Sequence, residues 1–320
     1  MKIETYNTIC DVPDIPYVKE FKDLFHDLEK TNPCRQKYHL LVEVDDFAFF
    51  CEYRLNLNIF TYNKLKLNYP VRIIGIPASV GTQGFYATSA HLKKRMYEYI
   101  STFKGASLVL NTFDNESIDA FGAGQTLPTH ILYVKWNTLD EYLSSMRSNY
   151  RYRLKKALRN NISIRKIDNK DFDDKLYSLY LNVYKKSSFK LEKLSKSFFQ
   201  QFGEIIVLED KTAIAFIQIY KKNSTMYFMF CGIDYEYNNV PDLYYMMLFE
   251  VIKRGIKEKV EVIDLGQTTS DTKTKLGAVM EKRYMHATHS NKLVRSLVIK
   301  HMDKLSYNEE HKNYNVMKSR

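Results

Sequence analysis

The stretch Val260-Glu261-Val262-Ile263-Asp264-Leu265-Gly266-Gln267-Thr268-Thr269 decides the reading of the fold. Its first half is short, β-branched and apolar, the composition of a buried strand. Its second half leaves that strand through a glycine into polar residues, the signature of a turn. Upstream, Leu243 to Lys257 has helical periodicity. Before it come strand patterns at Glu204 to Glu209, Ala213 to Tyr220 and Met226 to Ile233, the last two joined by Lys221-Lys222-Asn223-Ser224. Ile162 to Lys166 reads as a further strand, and Asp171 to Tyr184 and Ser195 to Phe202 as helices. The order is strand, helix, helix, three strands, helix, strand. Antiparallel strands followed by a crossover helix and one more strand predict an α/β mixed sheet with helices on its faces.

In such sheets ligands gather beyond the carboxyl ends of the strands. Asp264 stands at that end, with Gln267, Thr268, Lys273 and Lys275 just past it, ahead of Leu276-Gly277. A lysine there has the charge to stabilise an oxyanion in acyl transfer. The plain alternative is an exposed loop lysine.

The first half is less regular. Val18 to Glu29 reads as a helix, with Phe21, Leu24, Phe25 and Leu28 at helical spacing. Strands are expected at Tyr38 to Val44, closed by the Asp45-Asp46 turn signal, then at Phe47 to Leu57 and Pro70 to Ile76. A helix from His91 to Phe103 follows, then strands at Ala106 to Asn111 and His130 to Lys135. Phe121-Gly122-Ala123-Gly124-Gln125 has the glycines of a phosphate cradle but neither a full GxGxxG nor a Walker lysine, so a plain turn is the stronger reading. His286 and His289, after a strand at Arg283 to Met285, are read as surface or hydrogen-bonded histidines, since two ligands alone make a poor metal site.

Between the halves, Asn137 or Thr138 caps a helix with Asp140 and Glu141 in its first turn. It breaks near Ser148-Asn149 and resumes to about Arg159. From Arg147 to Lys166 there are eight basic residues and no acid. Arg147, Arg151, Lys155 and Arg159 form one helical stripe beside an apolar one of Met146, Tyr150, Leu154, Ala157 and Leu158. Such a helix packs on a core and presents a cationic edge, suited to phosphate or carboxylate. It is equally the pattern of a solvated face.

The composition sets outer bounds. With 320 residues, two domains are expected. No apolar run is long enough for a membrane helix, and Met1 to Tyr6 shows no signal core, so the expected location is cytoplasmic. Cys10, Cys34, Cys51 and Cys231 form no CxxC pair, which predicts free thiols and no metal site. The net charge of +11 favours anionic partners.

Two segments carry a family resemblance. Met146-Arg147-Ser148-Asn149-Tyr150-Arg151-Tyr152-Arg153-Leu154-Lys155-Lys156-Ala157 resembles the R-x-x-(I/L)-(R/K)-K-A helix of Fem-type peptidyl aminoacyltransferases and their relatives of the GNAT superfamily. Asp264-Leu265-Gly266 followed by Lys273-x-x-Leu276-Gly277 resembles the late D-x-G … K-x-x-(F/L)-G segment of the same group. The similarity covers about residues 140–290. It implies tandem GNAT-like domains: a degenerate one over 1–137, a better defined acyltransferase domain over 138–290, and a basic helical tail over 291–320. It further implies acyl or aminoacyl transfer to an amine, forming a peptide bond without a metal. Lys273 and Asp264 would be catalytic. Arg147, Arg151, Arg153, Lys155, Gln267, Thr268 and Lys275 would hold donor or substrate.

One departure concerns the donor. Acetyl-CoA-dependent members carry an (R/Q)-x-x-G-x-(G/A) loop before the crossover helix, whereas Tyr235 to Leu243 here contains no glycine. The leading expectation is an N-acyltransferase that takes an acyl group from acyl-CoA or an acyl-carrier protein, as co-substrate rather than tightly bound cofactor, to an amine of a small molecule or amino acid. The second is a Fem-type aminoacyl-tRNA-dependent enzyme, although no long heptad arm for tRNA is present. The third is a non-catalytic domain that binds RNA or another anion.

Overall fold

The computed structural model describes every residue except 32–33, 45, 63–64, 79–80, 161, 238–241, 310, 313 and 319–320. In chain order the first half contains β1 (Lys2–Tyr6), α1 (Pro16–Thr31), β2 (Lys37–Glu43), β3 (Asp46–Asn58), β4 (Asn68–Ile74), β5 (Phe85–Ala87), α2 (Ala90–Ser101) and β6 (Ala106–Thr112). Then come β7 (Gly122–Tyr133), α3 (Leu139–Ser145), α4 (Ser148–Ala157), β8 (Ser163–Ile167), α5 (Asp174–Lys186), α6 (Lys196–Phe199), β9 (Glu204–Asp210), β10 (Thr212–Lys222) and β11 (Thr225–Ile233). The chain ends with α7 (Leu243–Lys257), β12 (Val262–Asp264), α8 (Ser270–Thr274), β13 (Val279–His289), α9 (Lys292–Lys300) and α10 (Met302–Leu305).

The chain forms two compact units. Unit 1 comprises Met1–Leu127, Ser188–Leu194 and Lys282–Glu309; unit 2 comprises Pro128–Ser187, Ser195–Glu281 and Glu310–Arg320.

In unit 1, β1, β2, β3 and β4 pair antiparallel in that order, β4 runs parallel to β6, and β6 pairs antiparallel with β13. α2 buries Leu92, Met96, Tyr97 and Ile100 against Phe50, Ile74 and Val109 of the sheet. Its N-terminus is closed by Ser89, whose hydroxyl accepts from the Leu92 amide. The glycines at 122 and 124 form no turn: they lie in β7. A side chain at Gly124 would sit 2.0 Å from Ser306 Oγ, so the short residue serves close packing of the α10 end on the strand.

In unit 2, β8, β9, β10 and β11 form an antiparallel run. β11 then pairs parallel with β12, and β12 antiparallel with β7. The crossover between the parallel strands is α7. Its Met247, Leu248, Val251 and Ile252 are fully buried in a core shared with Ile206, Ile217, Met226 and Ile263. This is the mixed α/β sheet expected from the strand order.

Two local departures have clear causes. The helix after Thr138 ends at Ser145, because Met146 is extended and bridges Met317 while the Arg147 amide donates to Val316 O. A strand-like contact from the far end of the chain thus sets the break. Ser195 to Phe202 yields only the single turn α6, which seats Phe198 and Phe199 in an aromatic cluster with Phe172 and Phe230. Among its described residues the tail is helical only to Leu305. Beyond it, Val316 is buried in the core of unit 2 and Tyr314 donates to Asp271.

Candidate active site

The β11–β12 pairing covers only Thr225↔Val262, Met226↔Ile263 and Tyr227↔Asp264. β11 then continues to Ile233 while the other chain turns away at Gly266. That turn has φ of +77°, which a side chain would disfavour. A Cβ at Gly266 would stand 3.6 Å from Phe228 O and 3.8 Å from Lys273 Nζ. The turn therefore brings the lysine back beside β11.

Asp264 is buried and held from two sides. Its Oδ1 accepts from Thr129 Oγ1 at 2.7 Å and from the Gly266 amide at 2.8 Å. The second bond closes the turn; the first ties it to β7. The neighbouring His130 lies fully buried on β7. Its Nδ1 is 3.0 Å from Gly266 O. A carbonyl only accepts, so Nδ1 carries the proton and Nε2 presents a bare lone pair. That Nε2 is buried and has no hydrogen-bond partner among the described residues. Burial, reinforced by the charge of Lys273, takes the His130 pKa down to about 4, so the ring is neutral at physiological pH.

Lys273 lies in α8 and is 2% exposed, which overturns the reading of an exposed loop lysine. Its Nζ makes no hydrogen bond or ion pair among the described residues. Burial pulls the ammonium down to about 7, against the opposing influence of Asp264 and Cys231. A lysine at that value is a mixture of amine and ammonium near neutrality, able to accept or donate a proton. Cys231, buried on β11 nearby, is driven the other way: burial raises its thiol to about 12 and keeps it inert.

The segment after Lys273 is pinned. Tyr142 of α3 donates to Leu276 O at 2.8 Å, and Tyr245 of α7 to Lys275 O at 3.2 Å. Lys275 is paired with Asp271 and its Nζ lies 4.8 Å from the Tyr314 ring centre. Gln267 is half-buried and Thr268 exposed in the turn.

The cationic residues of the early helix separate. Arg147 is the N-cap of α4 and, with the Asn315 amide oriented to satisfy both its ends, donates to the Asn315 oxygen at 2.8 Å. Arg151 Nη1 faces the carbonyls of Leu143, Ser144 and Met146, each at 3.5 Å, at the end of α3. Arg153 pairs with Asp242 at 2.9 Å and lies over the Tyr245 ring. Lys155 is exposed, as are Lys156 and Arg159, and none of the three has an acidic partner among the described residues. The single stripe expected from spacing therefore divides into two arginines used at helix ends and a solvent-facing set further along. The glycine-free segment before α7 includes residues 238–241, which lie outside the described residues.

Sequence reasoning passed over Thr129 and His130. The signal was a polar Thr-His pair inside an otherwise apolar strand, Leu127 to Tyr133. Among the described residues no group of three or more His, Cys, Asp or Glu side chains could hold a metal ion. No helix among them is long and apolar enough to cross a membrane.

Residues 144–274 match the acetyltransferase (GNAT) domain family. No curated protein sequence matches the chain. Among solved structures, FemX aligns over 91% of this chain and 96% of its own, with a TM-score of 0.53 and 10% identity. L-PGS from Bacillus licheniformis aligns over 90% and 96%, with a TM-score of 0.52 and 11% identity. The C-terminal domain of a protein assigned as lysylphosphatidylglycerol synthetase, from Agrobacterium fabrum, aligns over 84% and 89%, with a TM-score of 0.51 and 10% identity. At these identities the likeness is one of fold.

Proposed function

We propose that this chain, a GNAT-domain transferase with a Fem-like fold, joins an activated acyl group to an amine of a small molecule or amino acid. The observation that carries the reading is the open pair at the end of β12. Lys273 Nζ, on α8, and His130 Nε2, on β7, are both buried beside the Gly266 turn, one a proton donor or acceptor and the other an acceptor, and neither has a hydrogen-bond partner among the described residues. Buried polar groups without partners are costly and are retained where a ligand completes them.

In this reading Asp264 fixes the turn rather than touching the reacting atoms, and Lys273 is the catalytic group. The acceptor amine attacks the donor carbonyl, a C–N bond forms, and the bond to the leaving thiol or hydroxyl breaks. Lys273 in its amine form takes the proton released by the attacking nitrogen and passes it to the leaving group. His130 Nε2 accepts the amine's remaining N–H and so orients its lone pair. Gln267, Thr268 and Lys275 line the approach to the turn.

Within the proposal, residues 138–290 form the transferase domain, 1–137 a degenerate GNAT-like partner domain and 291–320 a tail. A thioester, on CoA or a carrier protein, is the first donor considered. A second donor, aminoacyl-tRNA, is favoured by one feature: the exposed, acid-free run of Lys155, Lys156 and Arg159 suits a polyanion. The test is turnover with acyl-CoA, acyl-carrier protein and aminoacyl-tRNA against a panel of amines, for the parent and Lys273→Met. Amide formation lost in the variant supports the reading. Salt-sensitive RNA binding by the parent without turnover on any donor would replace it with a non-catalytic one.

A further inference from the structure

The end of unit 1 where β13 runs out holds large apolar side chains in water. On α9, Leu293 is 78% exposed and Leu297 59% exposed; on the segment between β3 and β4, Leu65 is 63% and Leu67 52%. α9 has no fully buried residue, but its Val298 packs half-buried against the same apolar cluster as Ile59. Val298 and Leu305 share one apolar cluster with Leu57 and Ile59. His289 links the two elements: its Nδ1 accepts from the Asn291 amide at 3.0 Å, so its Nε2–H faces Tyr69 Oη at 3.3 Å. Asn291 in turn caps α9 by accepting from the Leu293 amide at 2.9 Å. The exposed leucines are thus presented by a built surface.

Its charge is one-sided. From Asn291 to Leu305, Lys292, Arg295, Lys300 and Lys304 accompany a single acid, Asp303. From Ile59 to Tyr69 there are two lysines and no acid. A protein–protein contact is expected to be poor in lysine at its centre. Leucines ringed by lysines are instead the composition of a helix lying in a lipid interface, where the leucines enter the acyl boundary and the lysine stems extend to the headgroups.

We propose that α9, together with Leu65, Lys66 and Leu67 ahead of β4, forms a docking surface for the anionic face of a phospholipid bilayer. The contact is peripheral: Leu293 and Leu297 insert, and Lys292, Lys300 and Lys66 meet the headgroups. The proposal concerns where the protein works and stands apart from the chemistry at Lys273.

The test is co-sedimentation of the full chain with vesicles of phosphatidylcholine alone and of phosphatidylcholine mixed with phosphatidylglycerol. Binding is expected to the mixed vesicles only, and to weaken in about 0.5 M salt. Leu293→Ser with Leu297→Ser is expected to weaken it about tenfold or more. Lys292→Glu with Lys300→Glu should abolish the preference for anionic lipid. All four positions are exposed, and circular dichroism verifies the fold. Absence of binding to mixed vesicles, or undiminished binding by the leucine variant, overturns the proposal. A concentration-dependent dimer that the leucine variant dissolves, without vesicle binding, assigns the surface to a second copy of the chain instead.

Discussion

His286 in unit 1 and His130 in unit 2 are both fully buried strand histidines, and burial depresses the pKa of each. They differ in what surrounds the ring. His286 Nε2 donates to Glu116 O at 3.0 Å and its Nδ1 accepts from Tyr97 Oη at 3.2 Å, so both nitrogens are used. His130 has one nitrogen bonded and the other without a partner among the described residues. Beside His286 stand Asp114 and Lys93, paired with each other at 2.9 Å. Beside His130 stands Lys273, buried and with no hydrogen bond or ion pair among the described residues. A closed polar network stabilises a fold; an open one is completed by something that the fold does not contain.

The comparison is broken most sharply at Lys273. Lys273→Met should lower turnover by about 10²–10⁴-fold, the range of a general acid–base group. It should leave the melting temperature at pH 7 equal or higher, because a desolvated amine is replaced by an apolar chain of similar length. The pH dependence has a definite sign. The folded value of about 7 lies below the reference 10.5. The unfolded chain therefore holds more protons between these values, and parent stability falls as pH drops from about 10.5 to about 7 and is level below. Lys273→Met should remove that slope in urea titrations, and the parent's rate should rise with pH through about 7 and then level.

His130→Asn comes next. The asparagine amide can replace the bond to Gly266 O but offers nothing where Nε2 was. A kcat loss of about tenfold to 10²-fold is expected, with the fold retained. The same exchange at His286 should do the reverse: about 1–3 kcal/mol of stability lost by leaving Tyr97 Oη or Glu116 O unpaired, and kcat unchanged per folded molecule. Equal kinetic effects at the two histidines would dissolve the distinction between them. Thr129→Val, which removes the hydroxyl bond to Asp264 Oδ1, is expected to cost about 1 kcal/mol and to raise KM less than it lowers kcat. The smallest effect is expected from Lys155→Ala with Lys156→Ala. If the donor is RNA, its binding should weaken and the salt slope shrink by about two counterions; if it is a thioester, kcat/KM should hold.

Much of unit 2 was legible because its signals are local. Continuous apolar runs bounded by polar turn residues gave β9, β10 and β11, the period of Leu243 to Lys257 gave α7, and a glycine after Asp264 gave the turn. Lys273 was visible as a cation beyond a strand end, though its burial was not. The arginines were less tractable. Spacing placed Arg147, Arg151 and Lys155 on one stripe, but Arg151 turns back to the carbonyls of α3, since the helix breaks at Met146. That break depends on Val316 and Met317 at the far end of the chain. Gly122 and Gly124 misled for a similar reason: their need for small size comes from α9 and α10, remote in sequence.

The sequence by itself determined the element order of the second half, the mixed sheet and the position of a charged turn after its short parallel strand. Those follow from periodicity and from glycine's backbone freedom, which act over a few residues. The tertiary structure alone decided which polar groups would meet and which would be left open. Thr129 and His130 reach Asp264 and Gly266 across 135 and 136 positions of chain. Lys273 is buried beside His130 of β7 and Cys231 of β11, both remote from it in sequence. Desolvation is set by everything around a group, and a residue's own sequence neighbours supply only a small part of that.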